Sequence, residues 1–152
     1  MKTSPTLATN RRARFDYTLH DEFIAGLVLS GQEVKSIRTG GASLRGAFVT
    51  MSNGEAWLTN AMIRPYTHAQ PEGYDPTQTR KLLLTAKQLA QLTAAKQNGL
   101  TIVPLDLLAR GSFIKLRIAT ARGKKQADKR QTIKRRQDNR DAQRATKRTL
   151  RG

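Results

Sequence analysis

Arginines and aromatic rings cluster near the start of this 152-residue chain. Residues 10–17 read NRRARFDY, so three guanidinium groups lie beside an amide and two rings. A guanidinium group can bind two oxygens of one phosphate, and an aromatic ring can stack on an unpaired base. The segment therefore predicts a nucleic-acid contact made by Asn10, Arg11, Arg12, Arg14 and Tyr17. In the alternative interpretation, the two rings belong to the hydrophobic core and only the arginines are exposed.

A second group of candidate contacts lies on a predicted strand over residues 112–120. Apolar and polar side chains alternate there, which places Phe113, Lys115 and Arg117 on one face of the strand. A strand face that combines cations with a ring is a recurrent platform for nucleic acids. We predict that Lys115 and Arg117 contact RNA, although the hydrated face of an ordinary sheet has the same pattern.

Two further basic segments are interpreted differently. Residues 79–84 (TRKLLL) predict three core leucines and an exposed pair, Arg80 and Lys81. Residues 121–130 (ARGKKQADKR) lie where the apolar content of the chain falls, and Gly123 is predicted to be a pivot there.

Residues suited to catalysis are scarce. The chain has no cysteine, which excludes a disulfide framework, a thiol nucleophile and a zinc site built on cysteines. Its two histidines, His20 and His68, are predicted to lie on the surface, and its glycines lack the spacing of a phosphate-binding loop. The sequence therefore predicts a protein that is not an enzyme and that uses no metal or cofactor.

The formal net charge of +17, from 28 basic and 11 acidic residues, predicts a polyanionic partner. Residues 122–152 hold 13 basic, 3 acidic and only five apolar residues, so this tail is predicted to be disordered when free. Helix formers dominate it, and we expect residues 128–149 to become helical on a nucleic acid. A charge run that only keeps the protein in solution is the alternative.

The chain has no segment that suggests a membrane. The first nine residues lack the apolar centre of a signal peptide, and the longest apolar run, residues 24–29, is too short to cross a bilayer. We therefore expect a soluble, cytoplasmic protein without a membrane partner.

Capping signals predict two short helices. Ser30 with Glu33, and Thr85 with Gln88, each form a capping box at the start of a helix. Glycines at positions 40, 41 and 99 are predicted to end these helices.

The remaining signals predict strands. Residues 15–29 are extended, and Asn53-Gly54 predicts a hairpin between strands at residues 47–51 and 56–60. A strand at residues 100–105 contains Pro104, which favours an edge position or a bulge. Five or six short strands with two or three short helices suit a partly open antiparallel barrel of the oligonucleotide-binding (OB) type. The predicted organisation is a flexible N-terminus (1–9), an OB-like RNA-binding barrel (10–121) and the basic tail (122–152).

Five strings of the sequence resemble the SmpB family, the small protein B of bacteria. They are NRRAR at residues 10–14, GL at 26–27, EVKSIR at 33–38, DPTQTRKLLL at 75–84 and RGKKQADKR at 122–130. They follow one another in order, and the resemblance extends to residue 135.

The resemblance implies an OB-type barrel that binds the tRNA-like domain of transfer-messenger RNA (tmRNA) and delivers it to stalled ribosomes for trans-translation. It also implies a monomer whose tail turns helical in the decoding centre and the empty mRNA channel of the small subunit. Asn10 and the arginines after it match an RNA-binding stretch of the family, and Lys115 matches a position that contacts the tRNA-like elbow. The tail residues expected to contact the ribosome are Gly123, Lys124, Lys125, Asp128, Lys129, Arg130, Lys134, Arg135 and Arg136.

Three positions depart from the family pattern. Ile24 stands where the family has an acidic residue, Ala127 where it often has a ring, and a tail tryptophan is replaced near Asp138. Because rings are lost, we expect the tail to depend more on charge and to be more sensitive to salt.

Two other functions remain open at this point. A structural ribosomal protein would also combine a small barrel with a basic extension, and it would accompany every ribosome. An RNA-processing enzyme would need an acid, a base or a metal, for which His20 and His68 are the available histidines.

Overall fold

The computed structural model describes residues 5–66 and 73–124. Three helices lie in these ranges: α1 (Ala13–Asp16), α2 (Gly31–Arg38) and α3 (Ala86–Gln97). The strands are β1 (Thr6–Thr9), β2 (Tyr17–Leu27), β3 (Ala42–Ser43), β4 (Phe48–Ser52), β5 (Glu55–Thr59), β6 (Met62–Ile63), β7 (Arg80–Leu83), β8 (Thr101–Arg110) and β9 (Phe113–Gly123).

The main sheet is antiparallel and open. Its seven strands are hydrogen-bonded in the order β1-β8-β9-β2-β7-β5-β4, and β3 pairs separately with β6. Within the described residues, the outermost strands β1 and β4 are not paired with each other, so the sheet does not close into a barrel. The predicted fold, mainly β and partly open with a few short helices, is confirmed.

Both capping boxes form as predicted. The Ser30 hydroxyl accepts a hydrogen bond from the Glu33 backbone N–H at 3.3 Å, and the Glu33 carboxylate accepts one from the Ser30 N–H at 3.0 Å. Thr85 and Gln88 make the same exchange at the start of α3. Each box satisfies backbone donors that a helix start leaves without a partner.

The hairpin between β4 and β5 also matches its prediction. Asn53 and Gly54 both have positive φ, 53° and 73°, as the tight turn requires. The register from Phe48 opposite Thr59 to Ser52 opposite Glu55 has no irregularity.

The ends of the predicted folded region differ from the structure. Residues 6–9, expected to be flexible, form β1 and pair with β8. At the other end, β9 continues two residues beyond the predicted boundary at 121, because Arg122 and Gly123 pair with the start of β2. Gly123, predicted to be a pivot, is therefore a strand residue. The rest of the tail beyond Lys124 lies outside the described residues, as does His68.

Pro104 lies on a part of β8 that pairs with β9, whereas the pairing of β1 with β8 begins only at Asp106. Pro104 therefore has a strand partner on one side only, and the expected bulge is also present. The register shifts between Pro104 and Asp106, which leaves Leu105 as an extra residue on β8. In the described part of the chain, no helix is long and apolar enough to cross a membrane.

The core lies under the sheet in two clusters. The larger is built from β-strand and helix residues such as Ile37, Leu58, Leu92 and Leu116, all of which are buried. The smaller lies beneath α1 and contains Ala13, Val103, Leu105, Ala119 and Ala121. These clusters give the surface groups described next a rigid support.

Candidate nucleic-acid interface

Asn10 attaches the arginine-rich segment to the sheet. Its backbone N–H donates to the Leu105 carbonyl at 2.7 Å, and its side-chain amide donates to the Pro104 carbonyl at 2.9 Å. Both acceptors belong to the bulge of β8. Asn10 is thus a positioning residue that fixes where the following arginines leave the sheet.

The arginines in and just before the short helix α1 point outwards. Ala13 is buried, while Arg11, Arg12 and Arg14 are exposed. The Arg12 guanidinium lies 4.9 Å from the centre of the Phe15 ring and 3.4 Å from the Asp16 carboxylate. At such an exposed position these contacts mainly restrain the side chain and contribute little stability.

Tyr17 is half-buried and packs against the smaller core cluster. This packing favours the alternative interpretation, in which the ring belongs to the core. Of the five residues predicted at this segment, the structure leaves the three arginines as the exposed groups, with Asn10 behind them.

The root of the tail lies beside α1. The Lys124 backbone N–H donates to the Asp16 carbonyl at 2.9 Å, and its ammonium group donates to the Arg14 carbonyl at 3.0 Å. Gly123 is opposite Tyr17 in the sheet. The structure therefore brings the first residues of the tail to the arginine segment. The other predicted tail contacts, residues 125–136, lie outside the described residues.

Lys115 lies far from this cluster, near the opposite end of β9. Its Cα partner across the sheet is Gly26 of β2, and its ammonium group lies 5.6 Å from the centre of the Phe113 ring. Phe113 is 67% exposed, so a ring and a cation share this end of the strand.

Arg117 follows on the same face of β9, but its charge has a partner. Its guanidinium donates to the Asp106 carboxylate at 3.1 Å, and Asp106 is buried. Any anion bound by Arg117 would compete with this carboxylate. Lys115 and Arg117 thus share one face of β9, as the alternation predicts, but Arg117 is ion-paired with Asp106.

Arg45 is a candidate contact that the sequence did not indicate. It lies in the turn between β3 and β4, which is held by a hydrogen bond from the Asn60 amide to the Gly46 carbonyl at 3.1 Å. Together with Arg11 and Arg12 it lines a cavity of about 240 Å³, whose described lining contains no carboxylate. The three cations come together only through the fold, because 33 residues separate Arg12 from Arg45.

Arg80, predicted to be exposed, is buried and ion-paired. Its guanidinium lies 2.6 Å from the Glu33 carboxylate, and both side chains are 4% exposed or less. Arg80 also donates to the Ala61 carbonyl at 2.9 Å and to the Pro76 carbonyl at 3.0 Å. The pair thus joins α2, the start of β7 and the segment before β7. Arg80 is buried because it lies opposite Leu58 in the sheet, where its side chain enters the core.

Burial tends to raise the pKa of the Glu33 carboxyl, but hydrogen bonds from the Ser30 backbone and Arg80 outweigh it. The pKa of Glu33 therefore lies below its usual value. Burial and the neighbouring Glu33 charge raise the pKa of the Tyr74 hydroxyl, which donates to the Ile63 carbonyl at 2.8 Å. Within residues 5–66 and 73–124, no three acidic or histidine side chains are placed to hold a metal ion.

The family model of SmpB protein matches residues 7–148 of this chain. The chain belongs to the SmpB family. The SsrA-binding protein of Gloeothece citriformis is 48% identical over 144 residues, which cover 93% of this chain and 93% of that protein. The SsrA-binding protein of Streptococcus suis is 45% identical over 142 residues, covering 93% and 92% of the two chains.

A solved structure of SmpB is also similar. It is described as "tmRNA-SmpB: a journey to the center of the bacterial ribosome", and its matching chain has a TM-score of 0.64 and 40% identity. The match covers 78% of this chain and 84% of that chain. The resemblance of the sequence strings to the SmpB family is thus confirmed across almost the whole chain.

Proposed function

We propose that this chain binds tmRNA and delivers it to stalled ribosomes for trans-translation. The observation that carries the proposal is membership of the SmpB family, whose SsrA-binding relatives match the chain over 93% of its length. The exposed arginines at residues 11, 12 and 14, and the cation and ring near the start of β9, supply groups that bind RNA.

We propose that the folded part recognises the tRNA-like domain of the RNA by shape and phosphate contacts. Asn10 holds Arg11, Arg12 and Arg14 in place, and Arg45 adds a fourth guanidinium from the neighbouring turn. A phosphate in the cavity lined by Arg11, Arg12 and Arg45 would relieve the mutual repulsion of these three arginines. Lys115 forms the second contact with the RNA. Arg117 and the half-buried ring of Tyr17 contribute less to RNA binding.

The tail would then act on the ribosome. We propose that it enters the decoding centre and the empty mRNA channel of the small subunit, with its cations facing ribosomal RNA. The residues proposed for this contact are Gly123, Lys124, Lys125, Asp128, Lys129, Arg130, Lys134, Arg135 and Arg136. The protein acts as a monomer in the cytoplasm, where translation takes place, and performs no catalytic step of its own.

A gel-shift titration at physiological salt tests this function. The full chain should bind tmRNA at least about tenfold more tightly than ordinary tRNA or duplex DNA of similar length, because only tmRNA offers the shape it fits. Equal affinity for all three would refute selective binding. In ribosome pelleting, the chain should be enriched on stalled ribosomes, and a stoichiometric presence on all ribosomes would instead identify a structural ribosomal protein.

A further inference from the structure

A cavity of about 540 Å³ lies between the middle of β2 and the C-terminal half of α3. β2 contributes Asp21, Glu22 and Phe23 to its lining, and α3 contributes Gln91, Ala94 and Ala95. Within the described residues, no lysine or arginine lines it. An acidic lining is unusual in a chain whose formal net charge is +17. We call this space the β2–α3 cavity.

A bulge in β2 brings both carboxylates to the β2–α3 cavity. Consecutive residues of a regular strand face opposite sides, yet Asp21 and Glu22 line the same cavity. The register shifts between Leu19 and Glu22, and such a bulge re-aims the side chains of its strand. The Asp21 backbone N–H donates to the hydroxyl of Thr120 at 3.0 Å, and Thr120 is only 2% exposed. A buried hydroxyl thus fixes the bulge and the two acids beside it.

Asp21 and Glu22 differ from the other carboxylates of the described part of the chain. Four of the others form ion pairs with an arginine or a lysine, namely those of Asp16, Glu33, Glu55 and Asp106. The Asp75 carboxylate accepts hydrogen bonds from Thr77. Asp21 and Glu22 are both exposed, and within residues 5–66 and 73–124 neither has an ion pair. Two adjacent negative charges repel RNA and attract cations.

The basic tail starts within reach of the β2–α3 cavity. The Lys124 backbone N–H donates to the carbonyl of Asp16, the residue before β2, and Glu22 lies five residues beyond the start of that strand. This distance is about 17 Å at roughly 3.3 Å per residue. Residues 125–152 carry 11 basic and 3 acidic residues, a net charge of +8. Even as one continuous helix, a segment of this length would span about 42 Å, so several of its cations can reach the cavity.

We propose that the β2–α3 cavity binds the basic tail of the same chain when the protein is free, and releases it when the tail meets ribosomal RNA. Lysine and arginine side chains pair with Asp21 and Glu22, and their apolar stems pack on Phe23 and Leu100, which also line the cavity. Tethering holds these cations at an effective concentration in the millimolar range, which a separate basic peptide does not reach in solution.

This contact keeps the tail away from nucleic acids that are not its target. Two carboxylates cannot compete with the many phosphates of ribosomal RNA, so the tail is released there. The inference is independent of which RNA the folded part selects. It assigns a role to an acidic cavity that takes no part in the proposed binding of tmRNA.

Zero-length cross-linking tests the contact directly. A carbodiimide joins a carboxylate to a lysine ammonium group through an amide bond, and takes up the lost water as it becomes a urea. In the free full chain at low salt, peptides with Asp21 or Glu22 should be linked to peptides with Lys129 or Lys134. The yield of these links should fall at least about fivefold when ribosomal RNA is added, because phosphates replace the carboxylates. A mixture of isotope-labelled and unlabelled chains distinguishes links within one chain from links between two copies.

A double variant of the full chain, Asp21→Asn with Glu22→Gln, removes both charges and retains the shapes of the side chains. Its affinity for duplex DNA should rise about threefold to tenfold, the range expected for the loss of two exposed ion pairs, because the tail is no longer held. The matched control is Glu55→Gln with Asp75→Asn, which removes the same charge outside the cavity. Its affinity should rise by less than about twofold, since distant charges are screened by salt.

Four results would overturn the proposal. The first is the absence of cross-links between residues 21–22 and the tail in the free chain, and the second is cross-links only between two copies, which would make the occupant the tail of a second chain. The third is an equal rise in DNA affinity for the two double variants. The fourth is a cross-link yield that ribosomal RNA does not reduce, which would refute the release.

Discussion

Removing one partner of the buried ion pair between Arg80 and Glu33 should strongly destabilise the folded part. Arg80→Met keeps most of the apolar stem of the side chain but removes the guanidinium 2.6 Å from the carboxylate. The Glu33 carboxylate would then stay buried without its cation, a change that costs about 3–5 kcal/mol in other buried pairs. The carbonyls of Ala61 and Pro76 would also lose a donor. We expect a loss of at least about 3 kcal/mol near neutral pH.

The pH dependence of this loss identifies its cause. In the original chain the pKa of Glu33 is lowered, so its contribution is present above the unfolded pKa of about 4.3 and is lost as pH falls through the folded pKa. Without Arg80, burial dominates and the pKa of Glu33 rises above its unfolded value. Protonation then relieves the buried charge, so the penalty should shrink as the pH falls from neutral towards the unfolded pKa of about 4.3.

Urea unfolding of the full chain, followed by far-ultraviolet circular dichroism at several pH values, measures both quantities. Lys81→Met is the control, since the Lys81–Glu55 pair is 3.8 Å long and about 40% exposed on each side. It should cost less than about 1 kcal/mol. A similar cost for the two variants, or a penalty for Arg80→Met that does not change with pH, would refute the reasoning.

Two further predictions concern RNA. In filter-binding titrations, Arg45→Gln should reduce the slope of log K against log salt for tmRNA binding by about 0.7–0.9, the value of one phosphate contact. The control Lys96→Gln removes one charge from the exposed face of α3 and should leave this slope unchanged. Equal slopes for the two variants would contradict a phosphate contact at Arg45. A chain that ends at Lys124 should keep its affinity for tmRNA within about threefold but lose tagging activity in a purified translation system, and an equal loss of tmRNA binding would contradict the division between body and tail.

Features whose signal lies within a few residues were predictable from the sequence. The capping boxes at Ser30 and Thr85 and the turn at Asn53-Gly54 each depend on neighbours no more than three residues away. The outward placement of Lys115 on β9 follows from simple alternation. In each case the local conformation satisfies its own hydrogen bonds, so distant residues need not be known.

Features that depend on distant partners were not predictable. Strand β1 is four residues long and gains its hydrogen bonds from β8, about a hundred residues later in the chain. Arg80 is buried because Glu33, 47 residues earlier, offers a carboxylate in the core. The cavity beside Arg45 likewise requires two segments that meet only in the folded chain. A basic residue can therefore lie in a buried ion pair or on the surface, and which of the two it does depends on residues distant in the sequence.

The irregularities of the sheet show why β9 can connect the two candidate contacts. The register shift between Pro104 and Asp106 inserts one extra residue in β8, and the shift between Leu19 and Glu22 inserts one extra residue in β2. β9 lies between these strands and is paired on both sides from Lys115 to Ala121, and neither register shift inserts a residue in it. From Lys115 to Gly123 it spans about 26 Å along the strand at roughly 3.3 Å per residue. A strand held on both sides cannot shorten or bend without breaking two ladders of hydrogen bonds. The separation along β9 between Lys115 and Gly123, where the tail begins, is consequently set by the sheet.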